Sequence, residues 1–575
     1  MGSKSSIFVA IDFGTSYSGF SYMFSTDPDT IITASHGSIL PDDRVPTILL
    51  LNPDNSLNSF GIIAEDNYAK LMMSGKHTGY RLFREFKMAL YANNERLDSD
   101  INIYDTENRP MNAMTVFSMV INLFKELVLK SIKQSKLSQT YSFENDIIWM
   151  ITIPAIWSDS ARQFMRRAAT LAGIDEKCLR LVLEPEAAAL YCKDQQLHIS
   201  TSPRGSCLKP KSKYILADLG GGTVDFCVHE VLPKGEIREL YRVVGGVFGG
   251  SNVNNEFIQF LIKLFGAPVM KKFKKTQYYD YLMLTRGFEH VKNTFDSGHT
   301  NTFVIGIPIT LIQMAEEDSD SSVETLVKQS VYASCVEFRD GNKFCCKEEL
   351  METFYKSSLH GIITTLNEIK SCCTENVDTL LIVGGFSESQ YLREFIKRKV
   401  QIKDLVLAKE PRLAVLKGAL KMGLKPNTII SRRARYTYGF RVAVPFNRNL
   451  HPQSLKFRRE GKYFCDRIFS KVIERDMDLK VGQSFKVNVN EEIPTNKNMN
   501  LSIALYRSPK KNPTFCLESD EECTEVGTIN IKAPREGWPS RYNIDQFLIA
   551  DETELKVKAI DKTNGRELQT NVTFL

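Results

Sequence analysis

At two places in this chain an apolar run of strand length ends in aspartate, turns through small residues and restarts as a second alternating run. The first is Ile7-Phe-Val-Ala-Ile-Asp12-Phe-Gly14-Thr15-Ser16-Tyr17, and the second is Tyr214-Ile-Leu-Ala-Asp218-Leu-Gly220-Gly221-Gly222-Thr223-Val-Asp225. Each reads as a tight β-hairpin. A polyphosphate needs backbone N–H groups at close range, and only Gly or a small hydroxyl residue lets the chain approach so closely. Thr15, Ser16 and Thr223 add hydroxyl donors. Asp12 and Asp218 close the first strand of each hairpin, where they would face one another across a cleft that holds a hydrated Mg2+ bridging the phosphates. One Gly-rich hairpin is a common turn; two of matching design point to a nucleotide site.

The 575 residues are 43% hydrophobic, enough for several cores and roughly three or four domain-sized units. No apolar run reaches membrane-spanning length. Lys+Arg 74 against Asp+Glu 68 leaves +6, spread without a dense basic block, which points away from nucleic acid. The 12 cysteines are scattered with no C-x-x-C spacing, and adjacent pairs such as Cys345-Cys346 cannot easily form a metal site together. Reduced thiols, together with an apolar stretch from Ile7 that stops at Asp12 and has no cleavage region, lead us to expect a cytoplasmic protein. The start Met1-Gly2-Ser3-Lys4-Ser5-Ser6 matches a myristoylation pattern at Gly2. With the first strand beginning at about Ile7 there is almost no tether, and chance matches are common, so no membrane partner is expected.

Strands and helices alternate along the first 424 residues, the mark of an α/β fold. Apolar residues recur at helical spacing near Met114 to Leu137. A buried-strand run ends at Ile153-Pro154, and Ser158 caps a helix that stops at Gly173. Leu179-Arg-Leu-Val-Leu-Glu184-Pro185 reads as a strand feeding a helix with Pro in its first turn. Residues 194 to 213 read as a surface loop. After the second hairpin, Gly245-Gly246-Val-Phe-Gly249-Gly250 opens a helix, and a further helix is expected around Tyr281 to Phe295. A third glycine turn follows at Val383-Gly384-Gly385-Phe-Ser387, where Ser387 with Gln390 forms a capping-box pattern and the glycines leave room for a base or ribose.

Order and spacing resemble the nucleotide-binding domain shared by actin, sugar kinases and the heat-shock 70 kDa proteins. Asp12-Phe-Gly-Thr-Ser-Tyr, Ile-Thr-Ile-Pro154-Ala-Ile-Trp, Leu-Glu184-Pro-Glu-Ala-Ala-Ala, Asp218-Leu-Gly-Gly-Gly-Thr-Val-Asp225 and Val-Gly384-Gly385 together resemble the last family over about 420 residues. Ile430-Ser-Arg-Arg-Ala-Arg-Tyr-Thr-Tyr-Gly439 and the terminal Phe574-Leu575 resemble its divergent heat-shock 70 kDa protein 12 branch.

The resemblance implies a two-lobed, actin-like (duplicated ribonuclease-H-like) ATPase domain that binds ATP or ADP with Mg2+. Gly14, Thr15, Ser16, Tyr17, Gly220, Gly221, Gly222 and Thr223 would hold phosphates, with Asp12 and Asp218 on the metal side through water. Lys87 matches the family's catalytic lysine, which would orient the attacking water and offset developing charge. Glu184 and Asp225 match carboxylates that position water and metal, and Thr15 joins this catalytic set. Gly249, Gly250, Glu289, Lys292, Asp296, Gly384, Gly385 and Ser387 complete the expected nucleotide contacts. Asn293 and Glu388 stand where the family has arginines that clasp the adenine, each stacking worth about 1 to 2 kcal/mol. Asn252, Asn254 and Arg412 are further departures.

Domain boundaries are expected at 1–213 (lobe I), 214–424 (lobe II), 425–435 (linker) and 436–575. In the last region period-2 runs suggest an all-β, sandwich-like domain with no helical lid after it. Such a domain can bind an extended peptide or a protein partner by strand addition. Slow ATPase activity coupled to that domain in a monomeric, chaperone-related protein is the first expectation. A non-hydrolysing nucleotide-gated adaptor is the second, and a small-molecule kinase of the same superfold the third.

Overall fold

The computed structural model describes residues 6–34, 43–92, 100–135, 146–195, 208–296, 301–373, 377–459, 461–487, 498, 500–517, 523–533, 535, 537, 544–551, 555–561, 565, 567–568 and 570–573. The myristoylation pattern at Gly2 and most of the expected loop at 194–213 lie outside these residues.

Two sheets share one plan. In the first, Ile7–Phe13 pairs antiparallel with Tyr17–Phe24, which pairs with Asp27–Thr33. On its other side Ile7–Phe13 lies parallel to Ile147–Ile153, and that strand lies parallel to Leu179–Leu183. In the second, Lys213–Leu219 pairs antiparallel with Val224–Val231 and that strand with Ile237–Gly246, while Thr379–Val383 and Asp404–Leu407 add in parallel. The central strands are covered on both faces, so they read as continuous apolar runs: every residue of Ile7–Phe13 and of Thr379–Val383 is buried.

Local signals set the connecting helices. Asn112 caps Ala113–Gln134 by accepting the Thr115 N–H at 3.2 Å, and Ser158 caps Asp159–Leu171 by accepting the Ala161 N–H at 3.2 Å. Gly173 follows with φ 78°, the left-handed stop that favours glycine. Helices Glu184–Asp194 and Ala414–Leu424 cross between the two sheets and pack on each other. A Cβ on Gly418 would fall 1.8 Å from the Ala187 carbonyl oxygen, so only glycine permits this approach. The crossing fixes the lobes on either side of a cleft.

The segment expected as a linker is built into lobe II. Ile429–Arg433 runs parallel to Ile237–Gly246 and antiparallel to Asp478–Lys480, extending the second sheet to seven strands. Ile237–Gly246 would otherwise present unpaired backbone groups, and Ile429 and Ser431 turn their side chains into buried positions while Ile430 and Arg432 do not.

Among the described residues no α-helix follows Leu424. Strands Lys456–Arg459, Lys462–Ile473, Thr437–Pro445, Leu501–Ser508, Thr524–Ile531 and Thr570–Thr573 form one sheet, and Ser484–Val487, Ile544–Ala550, Leu555–Asp561 and Glu567–Leu568 another. Phe440, Ile473 and Leu505 of the first and Leu548 of the second share one apolar core.

Candidate functional site

The two hairpin turns meet at the wall of a cavity of about 660 Å3 between the lobes. Each turn is as tight as its glycines allow. A Cβ on Gly14 would lie 2.2 Å from the Tyr17 carbonyl oxygen and one on Gly220 2.8 Å from the Thr223 carbonyl oxygen, while one on Gly221 would lie 2.0 Å from Ser16 Oγ, where the two turns touch. Gly220 N–H donates to the Thr223 carbonyl at 3.1 Å and closes the second turn. Ser16 Oγ and Ser251 Oγ, 3.2 Å apart, join lobe I to the start of helix Gly250–Phe265 in lobe II. Gly384 takes φ 85°, and a Cβ there would meet Leu219 O at 2.4 Å and Asp218 Oδ1 at 2.6 Å.

Four carboxylates and two cations gather at the cleft floor. Asp12 Oδ1 accepts from Thr152 Oγ1 at 2.9 Å, and Asp12 Oδ2 lies 2.8 Å from Arg44 Nη2. Lys87 Nζ donates to Glu184 Oε1 at 2.9 Å and sits 5.1 Å over the Trp157 ring. Ile156 N–H donates to Asp225 Oδ1 at 3.0 Å. Burial pushes Glu184 above the usual carboxylate range, with Lys87 the largest opposing influence. Burial also raises Asp218 well above that range, reinforced by Glu184, Asp225 and Asp12. Asp225 is pushed up to about 7 by burial and then by Glu184. Excess buried negative charge of this kind favours a bound cation. Among the described residues no three His, Cys, Asp or Glu side chains converge as direct ligands, so the chemistry suits a metal held through its own water, as Mg2+ commonly is. Arg44 Nε is buried with no protein partner.

At the other end of the cleft, Glu289 Oε2 accepts from Lys292 Nζ at 2.6 Å and from Asn254 Nδ2 at 2.7 Å, while Asn293 Nδ2 reaches Glu289 Oε1 at 3.3 Å. Lys292 also donates to Asn254 Oδ1 at 3.1 Å. The Arg412 guanidinium is ion-paired with the Glu388 carboxylate, and both line the cavity. Arg286, held by Glu65 at 2.6 Å and Asp66 at 2.8 Å, lines it too. Guanidinium groups therefore stand at this end although positions 293 and 388 carry none.

Of the residues singled out from sequence, the cavity brings together Asp12, Gly14, Thr15, Ser16, Tyr17, Lys87, Glu184, Asp218, Gly220, Gly221, Gly222, Thr223, Gly250, Glu289, Lys292, Gly384 and Gly385. Asp225 lies buried beneath it, and Gly249 packs against the Gly221–Gly222 backbone. Asp296 follows helix Tyr278–Thr294 outside the lining. Ser387 is no helix cap: it is buried and donates to the Gly384 carbonyl at 2.6 Å. Ser389 caps Gln390–Lys399, accepting the Leu392 N–H at 3.3 Å, because a short 3-10 turn over Gly385–Glu388 displaces the helix start. Sequence reasoning missed Arg44, Thr152, Trp157 and Arg286. Trp157 stood inside a recognised motif, whereas Arg44 carried no local signal.

The family model described as Hsp70 protein matches residues 9–423. Over 99% of its length the chain is 28% identical to heat shock 70 kDa protein 12A of Mus musculus, covering 91% of that protein. It is 27% identical to heat shock 70 kDa protein 12B of Homo sapiens over the same shares of the two chains. Over 72% of its length it is 24% identical to the chaperone protein DnaK of Thermoplasma volcanium, covering 59% of that protein. No helix among the described residues is long and apolar enough to cross a membrane. With both phosphate turns, the floor carboxylates and the glycine turn at Gly384 inside the matched span, the chain belongs to the Hsp70 protein family.

Proposed function

We propose that this protein binds ATP with Mg2+, hydrolyses it slowly, and uses its nucleotide state to control a protein partner held by the C-terminal β region in a cytoplasmic, chaperone-related role. The observation that carries the reading is a continuous path from the cleft floor to that region. Arg435 Nη1 donates to the carbonyls of Ala155 at 3.0 Å and Trp157 at 3.1 Å. Between those residues Ile156 N–H holds Asp225, and the Trp157 ring lies under the Lys87 ammonium. A change in charge at Lys87 or Asp225 acts on this short loop, and the loop is gripped by the segment leading into strand Thr437–Pro445. Two packed elements biased by the same ligand are what coupling requires.

The backbone turns at Gly14–Tyr17 and Gly220–Thr223 would hold the phosphates, Asp12 and Asp218 would hold the metal's water, and Lys87 with Glu184 would orient the attacking water. The metal would offset the negative charge of the phosphates. A buried ammonium kept on a carboxylate is ready to turn to a phosphate oxygen when one arrives.

A second reading, a nucleotide-gated adaptor without hydrolysis, is favoured by one feature: Arg44 already neutralises Asp12 and would compete with the metal. Single-turnover cleavage of pre-bound ATP, with Mg2+ and at matched occupancy in the native chain and Lys87→Ala, separates the two. Cleavage that Lys87→Ala suppresses supports the ATPase; ATP bound but cleaved by neither supports the adaptor.

A further inference from the structure

A second cavity, about 100 Å3, lies where lobe I, lobe II and the C-terminal β region meet. Its wall carries five arginines, Arg162, Arg432, Arg433, Arg435 and Arg507. Two of them face carboxylates: Arg432 Nη2 donates to Glu186 Oε2 at 2.8 Å, and Arg162 lies 4.0 Å from Asp159. The other three make no ion pair with a carboxylate among the described residues. Arg433 Nη1 donates to the Asp476 carbonyl at 3.0 Å, and its Nε is buried with no partner. Arg435 is bonded to the carbonyls of Ala155 and Trp157. Arg507 is only 7% exposed and has neither a side-chain hydrogen bond nor an ion pair among the described residues. Its guanidinium lies 4.6 Å over the ring of Tyr436, with Arg435 5.5 Å from the same ring.

The acidic residues in the wall do not supply the missing charge. Asp159 is engaged by Arg162 and by the Tyr438 hydroxyl at 3.1 Å, and Asp551 is paired with Lys556. Glu239 accepts the Arg433 backbone N–H at 3.1 Å, and burial followed by Glu186 pushes its carboxyl up to about 8, leaving it largely uncharged at neutral pH. Arg507 is a buried cation with no carboxylate partner, which is costly; Arg433 and Arg435 stand half-buried beside it, and guanidinium forks match tetrahedral oxyanions.

We propose that this cavity binds one small oxyanion of the phosphate class between Arg433 and Arg435 of the connecting segment and Arg507 of the C-terminal β region. The space is far smaller than the 660 Å3 of the large cleft, so it suits a small tetrahedral anion better than a nucleotide. The bound anion ties strand Leu501–Ser508 to the segment that grips Ala155–Trp157. It thereby steadies the junction, and the inference does not rest on the nucleotide reading.

The test is calorimetric titration of the full chain with inorganic phosphate, comparing the native protein with Arg507→Gln and, separately, Arg433→Gln. Anion binding by the large cleft is common to all three and drops out of the difference. The expected result, beyond whatever the large cleft takes up in all three, is a saturable phosphate site that weakens about tenfold or more in either variant, the loss of one charge-assisted contact. Arg507→Lys should recover part of the affinity. Pyrophosphate, as a second probe, should bind this site more weakly than phosphate. Variants that keep the native circular dichroism and melting temperature without anion yet bind phosphate like the native chain overturn the assignment. A preference for pyrophosphate at the site that the variants weaken overturns it as well.

Discussion

Arg44 Nη2 lies 2.8 Å from Asp12 Oδ2, and Arg44 Nη1 donates to the Arg412 carbonyl at 3.0 Å. One guanidinium thus joins the carboxylate at the end of the first hairpin strand to the segment that leaves the lobe II sheet, and a third contact at 2.6 Å fixes it to the Tyr17 carbonyl. One side chain therefore both neutralises Asp12 and reaches across the cleft.

A cation that already satisfies Asp12 must compete with Mg2+, yet it can also meet phosphate oxygens when no metal is present. Arg44→Ala is therefore expected to weaken ATP binding about tenfold in the presence of a chelator and much less with Mg2+. Calorimetric titrations in the two conditions check this. Equal weakening in both would mean that Arg44 only ties the lobes together.

Lys87 and Glu184 form a buried pair, 3% and 11% exposed at the side chain. Removing one member strands the other. Lys87→Ala is expected to cost about 3 to 5 kcal/mol of unfolding free energy, because Glu184 is left as a buried, unpaired carboxylate. Adding Glu184→Gln should recover a large part of that loss. Urea denaturation of the two single variants and the double variant measures the coupling, and additive losses would show that the pair is not a unit.

How much of this site the sequence revealed depends on whether a residue's role is local. The turns at Gly14 and Gly221 and the cap at Ser158 follow from neighbouring residues, so pattern and spacing expose them. Spacing to Gln390 points to Ser387 as the cap, but the 3-10 turn over Gly385–Glu388 hands that role to Ser389, and no short pattern specifies that turn. Ile429–Arg433 reads as a linker because its alternation of buried and exposed positions exists only once Ile237–Gly246 offers an edge. Arg44 and Arg412 act through partners hundreds of residues away or across the cleft. Position alone gives them meaning.

Asp225 offers a test by pH. Its unfolded pKa is near 3.9, and burial followed by Glu184 raises it to about 7 in the folded chain. The folded state holds the proton more tightly, so this contribution to stability is full below about pH 4 and is lost as pH rises through 7. Asp225→Asn keeps an oxygen for the Ile156 N–H and removes the charge. The nucleotide-free variant is expected to exceed the native chain in stability at pH 8 by an amount on the order of 3 kcal/mol. The two should converge toward pH 4. Melting temperatures across that range decide it, and parallel curves would refute the assignment.

The pair Arg412–Glu388 bears on how the cleft grips a base. Glu388 and Asn293 occupy positions where the resemblance implies arginines, yet the Arg412 guanidinium lines the same end of the cavity and is paired with the Glu388 carboxylate. A guanidinium face over an aromatic ring adds about 1 to 2 kcal/mol when desolvated, and pairing with a carboxylate fixes its plane without consuming that face. Arg412→Ala should therefore weaken ATP binding about tenfold, while inorganic triphosphate, which has no base, should bind as before. Glu388→Arg in the Arg412→Ala background places a guanidinium directly at position 388 and should restore ATP affinity. Equal losses for ATP and triphosphate would show that Arg412 acts on the phosphates or on cleft closure, and base recognition would then have to rest on Arg286 and the Glu289–Lys292 pair.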